Sequence, residues 1–252
     1  AEGVLMVDPG RLNFALYKNI PENVKKVEER NPAILFKCVK NPTEVENIRI
    51  AEIKDSVAHV RFMKWLKENV GKETITEMSA SDKLDEFRAE MGGFIRPSFG
   101  PISAFGEHSA IVHYSSSPET NVELHEGTFL MTDTGAGFYE GSTDITRTYA
   151  FGEVSQIMKD HFTLVAISNL NLASPIFKKG CCGMNFDYLA RKPFWDRGLD
   201  FNHGTGHGVG YLLNIHEGPA GFRYTYRAGE SDAFQPGMVI TDEPGIYIEG
   251  SH

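Results

Sequence analysis

Residues 129–151 read FLMTDTGAGFYEGSTDITRTYAF, and this stretch decides the fold. It carries Asp133 and Asp144 in two segments that are rich in β-branched and aromatic residues, and Gly141-Ser142 between them indicates a hairpin turn. Asp133 follows an apolar run and Asp144 precedes Ile145, so we expect both on sheet. Two carboxylates on adjacent strands repel each other, so one must be protonated or a cation must join them. Two unrelated turn aspartates are the alternative at this point.

A second unusual stretch, FNHGTGHGVG, occupies residues 201–210 and places His203 and His207 four apart among four glycines. On a helix this spacing would put both imidazoles on one face, but each glycine costs a helix about 1 kcal/mol relative to alanine. We therefore expect an extended or turning segment whose backbone approaches another group closely. A flexible linker is the alternative, although linkers rarely carry central histidines. His216 follows beside a turn signal.

A third stretch, residues 237–245, reads as a buried strand that runs into Asp242, Glu243 and a Pro-Gly turn. An acidic residue at the end of an apolar strand is often only a turn former. Together with the two stretches above, however, it completes a set of oxygen and imidazole groups. The candidates for chemistry are Asp133, Asp144, His207 and Glu243, with His113, His203 and His216 around them.

This candidate set suits a two-metal site better than a structural zinc site, because it is rich in oxygen and has one central imidazole. Mn²⁺, Fe²⁺, Co²⁺ and Zn²⁺ all fit such ligands. No G-x-S-x-G motif points to a serine nucleophile, and the glycines of residues 204–210 do not match a phosphate-binding loop.

Composition limits the class of protein. The chain has 252 residues, 41% of them hydrophobic and 23% charged, which is typical of a globular domain with a substantial core. A formal net charge of −9 argues against nucleic acid or an anionic membrane as the main partner. We find no membrane-spanning run and no signal-peptide pattern. The three cysteines, Cys38, Cys181 and Cys182, lack zinc-finger spacing, so a cytoplasmic location is the simplest expectation.

Helices precede the predicted sheet. Asn41-Pro42-Thr43-Glu44 is a strong helix start, and apolar residues at spacings of three and four predict a long amphipathic helix to about Gly71. We predict its buried face at Ile50, Ile53, Val57, Val60, Met63 and Leu66, and place His59 at or near its surface. A second helix is predicted from a capping box at Thr74 and Glu77, and His113 is placed in a strand over residues 110–114. Two consecutive helices before a sheet indicate an α+β fold.

Both ends of the chain suggest a fragment of something longer. Residue 1 is not Met, and the last residues read as strand, turn and strand that stop abruptly at His252. Gly3 to Val7 predicts a short buried strand, but residues 1–36 are too few to bury a core alone. We therefore expect residues 1–36 to be the tail of a preceding domain and residues 37–252 to be a C-terminally truncated catalytic domain.

Three segments carry a resemblance to a known family: DTGAGFYEGSTDITRTYAFG, HGTGHGVGYLLNIHEGP and GMVITDEPGIY. They resemble the metallopeptidase family that contains aminopeptidase P, prolidase and methionine aminopeptidase, and among these the aminopeptidase P (Xaa-Pro aminopeptidase) branch most closely. The resemblance runs from about Lys40 to the last residue. It implies the pita-bread fold, a curved and mostly antiparallel sheet flanked by helices.

The resemblance also implies residue roles. Asp133 corresponds to a ligand of one metal ion, Asp144 to the ligand that bridges both ions, and His207 to the imidazole ligand of the second. Glu243 corresponds to a glutamate ligand that also handles the proton of the nucleophilic water. The substrate side is implied to consist of three histidines that hold the scissile carbonyl and shuttle protons: His113, His203 and His216.

The implied activity is hydrolysis of the N-terminal Xaa-Pro bond of peptides by a hydroxide that bridges two divalent ions, most typically Mn. Alternatives are a prolidase that cleaves Xaa-Pro dipeptides and a non-catalytic peptide-binding member of the family; methionine aminopeptidase fits less well. The family also supplies a second bridging glutamate, preceded by an arginine, beyond the position of His252. We therefore expect these 252 residues alone to bind metal poorly and to be inactive. A homodimer is left open.

Overall fold

The computed structural model describes residues 3–252, and its contacts divide the chain into two compact units, residues 1–37 and 38–252. In the first unit, strand β1 (Gly3–Val7) pairs in parallel with β2 (Val24–Glu28), and the short helix α1 (Phe14–Lys18) connects them. Helix α2 (Ala33–Cys38) spans the boundary. The predicted strand at Gly3–Val7 is present, but the prediction that it is buried was wrong, because only Val7 is buried. Its origin in a preceding domain, and the boundary at residues 36/37, stay predictions.

The second unit opens with two helices, as predicted. Helix α3 (Pro42–Asn69) begins with a capping box between Asn41 and Glu44 and has Pro42 at its first position. Helix α4 (Glu77–Glu90) begins with a capping box between Thr76 and Ser79, so the box predicted at Thr74 and Glu77 was wrong by two residues.

The predicted buried face of α3 was wrong in its first half. Four members of the predicted stripe are exposed, at 38% to 65%: Ile50, Ile53, Val57 and Val60. The buried face instead carries Ala51, Asp55, Ala58, His59 and Phe62. The helix turns two charged or titratable side chains inward because each finds a polar partner there, which a pattern of apolar residues cannot reveal. His59 is therefore buried and not at the surface.

Two three-stranded antiparallel sheets hold the stretch at residues 129–151. Strands β3 (Phe94–Pro97), β6 (Ala136–Phe138) and β7 (Gly141–Ser142) form one sheet in the order β3-β6-β7. Strands β4 (Ile102–Phe105), β5 (Phe129–Thr134) and β8 (Ile145–Ala150) form the other in the order β4-β5-β8. Phe138 pairs with Gly141, so the hairpin turn lies at Tyr139-Glu140 and Gly141-Ser142 belongs to a strand.

The remaining elements follow the sheets. Helix α5 (Gln156–Ala173) is capped by Ser155, and α6 (Asp187–Trp195) contains Pro193. Strand β9 (Gly206–Val209) pairs antiparallel with β10 (His216–Phe222), which confirms that the glycine-rich stretch is extended. Residues 239–243 run along β9 through hydrogen bonds from the Val209, Thr241 and Glu243 amides.

The main core packs α3 and α4 against β4, β5 and β8. Phe62, Leu66 and Leu130 are fully buried there, each contributing about 1.5–3 kcal/mol by burial of its side chain. The core fixes the sheet that carries Asp133 against the long helix. Within residues 3–252, every helix is too short or too polar to cross a membrane.

Candidate metal centre

A cavity of about 520 Å³ opens beside the second sheet, and most of the predicted site residues lie on its wall. Asp133 comes from β5, and Asp144 lies immediately before β8. His113, His203 and Glu243 also line the cavity. The fold thus brings together side chains that lie more than a hundred residues apart in the sequence.

His207 is oriented so that one ring nitrogen faces two carboxylates. Its Nδ1 lies 2.9 Å from the Gly208 carbonyl oxygen, which can only accept a hydrogen bond, so Nδ1 carries the proton. Nε2 then points at Asp144 Oδ2, at 3.2 Å, and at Glu243 Oε1, at 3.5 Å. A lone pair and two carboxylates cannot share this space without a second proton on the ring or a cation.

Thr241 ties His207 to Glu243. Its hydroxyl accepts a hydrogen bond from the His207 amide at 2.9 Å and donates to Glu243 Oε1 at 2.6 Å. The chain pairing between residues 239–243 and β9 fixes Thr241 itself, through the bond from its amide to the His207 carbonyl. The glutamate is therefore held close to the imidazole by main chain and side chain together.

Asp133 in this cavity carries an oxygen that a cation could satisfy. Its Oδ1 is buried and has no hydrogen-bond partner. Burial, and then the charge of Asp144, raise the pKa of Asp133 to about 6. Burial also raises the pKa of Glu243 to about 7, with Asp144 and Asp133 adding to the shift. These carboxylates repel each other in a poorly solvated space, which a divalent cation would relieve.

The pKa of His207 reflects the charges of the same carboxylates. Burial alone would lower the pKa of this imidazole, but the hydrogen bond to Asp144 and the charges of Glu243 and Asp144 outweigh it and raise the pKa. Across residues 3–252, no three His, Cys, Asp or Glu side chains already surround one common point as ligands of a single ion would. His207 and its two carboxylate neighbours pair with each other instead. The donor set fits a cation, and the ligand roles stay a prediction.

The flanking histidines differ in their surroundings. The His216 ring lies 4.3 Å from the His207 ring, centroid to centroid, and is exposed. His203 uses both of its nitrogens: Nδ1 donates to the Gly204 carbonyl at 2.8 Å, and Nε2 accepts from the Tyr247 hydroxyl at 2.8 Å. Burial lowers the pKa of His203, which is consistent with a neutral ring.

His113 lies on the cavity wall, but the strand predicted for it was wrong. Residues 106–110 form a 3₁₀ turn, and His113 follows in a turn with φ of 59°. A positive φ is uncommon outside glycine and needs support from the surroundings. Glu77 supplies this support, since its carboxylate accepts hydrogen bonds from the Phe105 amide at 2.7 Å and the Tyr114 hydroxyl at 2.9 Å. The loop that presents His113 is thereby attached to α4.

Sequence reasoning missed several residues of this site. Thr241 and Tyr247 contact Glu243 and His203, and each lies within a few residues of Glu243 in the sequence. Asp242 has two buried carboxylate oxygens without a partner, and burial raises its pKa to about 7. Glu52 on α3 also has its pKa raised to about 7, by burial and then by Asp55 and Asp144. Proximity in sequence to Glu243 could have been a signal for Thr241, Asp242 and Tyr247, and Glu52 had none.

The chain is similar to known proteins of one family. The family described as metallopeptidase family M24 matches residues 46–252. A probable Xaa-Pro aminopeptidase P of Botryotinia fuckeliana is 38% identical over 243 residues, which cover 96% of this chain and 37% of that protein. Xaa-Pro aminopeptidase 2 of Homo sapiens is 36% identical over 237 residues, covering 94% of this chain and 34% of that protein.

Solved structures give the same result. The X-prolyl aminopeptidase of Caenorhabditis elegans, described as a cytosolic enzyme with a di-nuclear active site, superposes with a TM-score of 0.90 at 33% identity. It covers 98% of this chain, and the match spans 40% of that chain. The Xaa-Pro dipeptidase of Bacillus anthracis superposes with a TM-score of 0.82 at 29% identity, over 99% of this chain and 66% of that one. The predicted α+β pita-bread fold is confirmed. The chain spans 34–40% of the length of the three Xaa-Pro aminopeptidases compared above.

Proposed function

Because this chain belongs to metallopeptidase family M24, we propose that it carries the metal centre of a dinuclear aminopeptidase that removes the N-terminal residue from peptides with proline second. The observation that carries the proposal is the position of His207 Nε2 between Asp144 and Glu243, beside an Asp133 oxygen without a partner. The Xaa-Pro aminopeptidases among the relatives supply the reaction class.

Four residues would hold the ions: Asp133, Asp144, His207 and Glu243. Such a donor set suits Mn²⁺ first, with Co²⁺, Fe²⁺ and Zn²⁺ as alternatives. Bound divalent ions supply two things in a peptidase, a water molecule of lowered pKa and polarisation of the scissile carbonyl. The dinuclear state described for the Caenorhabditis elegans enzyme supports two ions.

The chain's own residues perform the remaining steps. Thr241 donates to one Glu243 oxygen, which leaves the carboxylate oriented to take a proton from water and pass it to the imino nitrogen of the leaving proline. His216 and His113 are exposed, so a substrate carbonyl can reach them. His203 is held by Tyr247, so it acts on the substrate only after that bond opens.

A variant of the proposed bridging ligand tests the site. Asp144→Asn keeps the size of the side chain and removes the charge that faces His207. We expect loss of at least one of two bound Mn²⁺ ions and a fall in hydrolysis of an Xaa-Pro-Xaa peptide by about 100-fold or more, because charge stabilisation at the reacting carbonyl depends on the ions. Metal content and initial rates are measured on the complete gene product. An Asp144→Asn protein with both ions and full activity would refute the proposal.

A prolidase is the second candidate, since the Bacillus anthracis dipeptidase has a similar structure. An Xaa-Pro dipeptide and a matched Xaa-Pro-Xaa tripeptide separate the two activities in one assay. The aminopeptidase proposal expects a higher kcat/KM for the tripeptide. Higher activity on the dipeptide would favour the prolidase, and metal binding with no hydrolysis of either would favour a peptide-binding role.

The proposed location is the cytoplasm, which the description of the Caenorhabditis elegans relative as cytosolic supports. Peptides are the proposed partners. A homodimer stays a prediction.

A further inference from the structure

Two buried arginine–carboxylate clusters lie behind the candidate metal centre and do not line its cavity. We name them by their arginines, Arg88 on α4 and Arg191 on α6, each 1% exposed. Each arginine pairs with a fully buried aspartate, and each aspartate accepts a hydrogen bond from a threonine that lies within two residues of a candidate site residue. The Arg88 cluster consists of Asp55, Arg88, Thr134 and Thr143, and the Arg191 cluster of Asp187, Arg191, Asp200 and Thr205.

The Arg88 cluster connects α3, α4 and both aspartate-bearing segments. Arg88 binds Asp55 through two nitrogens, with Nε to Oδ1 at 2.8 Å and Nη2 to Oδ2 at 3.1 Å. The same Nη2 donates to Thr134 Oγ1 at 2.9 Å, and Thr134 directly follows Asp133. The Thr143 hydroxyl donates to Asp55 Oδ2, and Thr143 directly precedes Asp144. One buried ion pair thus holds the immediate neighbours of both aspartates.

This arrangement matters most for Asp144, because the sheet does not fix it. Asp133 lies within β5 and pairs with Ile102 on one side and Thr146 on the other. Thr143 and Asp144 lie between β7 and β8, outside both ladders. Thr143 is placed by other hydrogen bonds instead. Its amide donates to the Ala136 carbonyl at 2.8 Å, and its carbonyl accepts from Ser98 Oγ at 2.8 Å. Its hydroxyl accepts from the Ala136 amide at 2.9 Å and donates to Asp55.

The Arg191 cluster holds the part of the site that carries His203, His207 and Glu243. Arg191 Nε donates to Asp187 Oδ2 at 2.7 Å, and the Thr205 hydroxyl donates to Asp187 Oδ1. Arg191 Nη2 also donates to the His203 carbonyl at 3.0 Å. The Thr205 carbonyl in turn accepts from the Glu243 amide at 3.0 Å. Asp187 and Arg191 therefore reach both the histidine-bearing stretch and the segment that ends in Glu243.

We infer that the Asp55–Arg88 and Asp187–Arg191 pairs are positioning residues. They set the separation between two groups of metal ligands, Asp133 and Asp144 on one side and His207 and Glu243 on the other. This inference rests on the proposed function, since it needs the ligands assigned there. Buried ion pairs contribute little net stability compared with apolar residues of the same size, so stability alone does not account for two of them. Hydrogen-bonded groups that orient metal ligands commonly affect metal affinity by about 10–100-fold.

The test compares threonines on the same strand. Thr132 and Thr134 flank Asp133 on β5 and are each 1% exposed, but only Thr134 bonds to Arg88; the Thr132 hydroxyl has a 3.4 Å contact with the Arg147 carbonyl. Valine at either position keeps the shape and removes the hydroxyl. The variants are Thr134→Val, the matched control Thr132→Val, and the pair Thr143→Val and Thr143→Ser. Each is prepared in the complete gene product, freed of metal and titrated with Mn²⁺ by calorimetry.

We expect Thr134→Val and Thr143→Val each to weaken Mn²⁺ binding about tenfold or more. The thermal midpoint of the metal-free protein falls no further in Thr134→Val than in Thr132→Val, whereas Thr143→Val lowers it further because the buried Ala136 amide loses its acceptor. Thr143→Ser restores the affinity, and Thr132→Val stays within about threefold of the wild type. Unchanged affinity in Thr134→Val and Thr143→Val, or an equal loss in Thr132→Val, overturns the inference while leaving the proposed function intact. If Thr143→Val does not fold, Thr134→Val and Thr143→Ser decide the result. A wild-type protein without Mn²⁺ binding refutes the proposed function itself.

Discussion

The Arg88 and Arg191 clusters use the same groups in different ways. Arg88 donates to side chains, chiefly those of Asp55, Asp85 and Thr134. Arg191 also donates to two main-chain carbonyls, those of Phe201 at 2.7 Å and His203 at 3.0 Å. The difference follows from the segments they hold. Thr134, which Arg88 holds, lies in β5, where strand pairing already fixes the main chain. Phe201 and His203, which Arg191 holds, precede β9 and lie outside its pairing with β10.

The glycines explain why the second segment needs an arginine. A Cβ at Gly206 would lie 2.0 Å from the Thr241 carbonyl oxygen, and one at Gly208 would lie 2.0 Å from the Glu217 carbonyl oxygen. The main chain of neighbouring segments therefore lies too close to allow a side chain at either position. Because alternate residues from 204 to 210 lack side chains, hydrogen bonds to the main chain position the histidines. Arg191 holds the His203 carbonyl, and the pairing of β9 with β10 holds His207.

The largest expected effect comes from removing each arginine. Arg88→Met and Arg191→Met leave a buried aspartate without its main partner, which costs roughly 3–5 kcal/mol of unfolding free energy. Arg191→Met should cost more, because it also leaves the Phe201 and His203 carbonyls without a donor, at roughly 1–3 kcal/mol for each buried group. Urea denaturation of the metal-free protein measures both.

The double variants provide the control for this comparison. The double variant Asp187→Leu with Arg191→Met removes the buried, unpaired carboxylate and should recover part of the lost unfolding free energy. The same is expected for Asp55→Leu with Arg88→Met. A larger loss in Arg88→Met than in Arg191→Met would show that the main-chain contacts of Arg191 carry no special weight.

Acid should weaken the Arg88 cluster selectively, because a buried imidazole touches it. Arg88 Nη2 lies 3.4 Å from His59 Nε2, and His59 Nδ1 lies 2.9 Å from the Tyr149 hydroxyl. Burial lowers the pKa of His59 to about 4; Arg88 and Arg147 add to this and Asp55 opposes it. The Arg191 cluster touches His203 only through that residue's main chain.

The sign follows from proton linkage. The unfolded chain binds a proton at His59 near its ordinary pKa of about 6.5, and the folded chain does so only near 4. His59 therefore leaves the free energy of unfolding unchanged above about pH 6.5 and lowers it on acidification towards pH 4. The loss reaches at most about 3 kcal/mol. His59→Gln should therefore flatten the pH dependence of the unfolding free energy in this window, and His125→Gln, at an exposed site, should not. Identical pH profiles for wild type and His59→Gln would contradict this.

Local signals predicted much of the fold from sequence. Asn41, Pro42 and Glu44 gave the start of α3, since capping is set by neighbouring residues. The four glycines of residues 204–210 excluded a helix, and β9 confirms this. The group around His207 was predicted from the resemblance. Composition and spacing alone left two unrelated turn aspartates as an alternative.

The errors concern contacts between distant residues. Asp55 and Arg88 are 33 positions apart, so the sequence gives no reason to turn Asp55 inward and Ile53 outward. Asp187 and Arg191 are four apart on a helix, and this spacing alone does not distinguish an exposed pair from the buried pair observed here. His113 was placed in a strand because its neighbours are β-branched or aromatic. Hydrogen bonds from the loop to Glu77 override that propensity.

The smallest expected effect distinguishes the two clusters most finely. Thr205→Val removes the hydroxyl that donates to Asp187, the counterpart of the hydroxyl lost in Thr143→Val. The Thr205 main chain stays fixed, since its amide donates to the Phe222 carbonyl and its carbonyl accepts from the Glu243 amide, both at 3.0 Å. We therefore expect Mn²⁺ affinity to fall only about threefold, which corresponds to one ordinary hydrogen bond. Calorimetric titration beside Thr143→Val and the exposed control Thr225→Val measures this. A tenfold loss of Mn²⁺ affinity in Thr205→Val would mean that threonine side chains position the ligands in the same way beside both clusters. The hydrogen bonds from Arg191 to the main chain would then make no difference to metal binding.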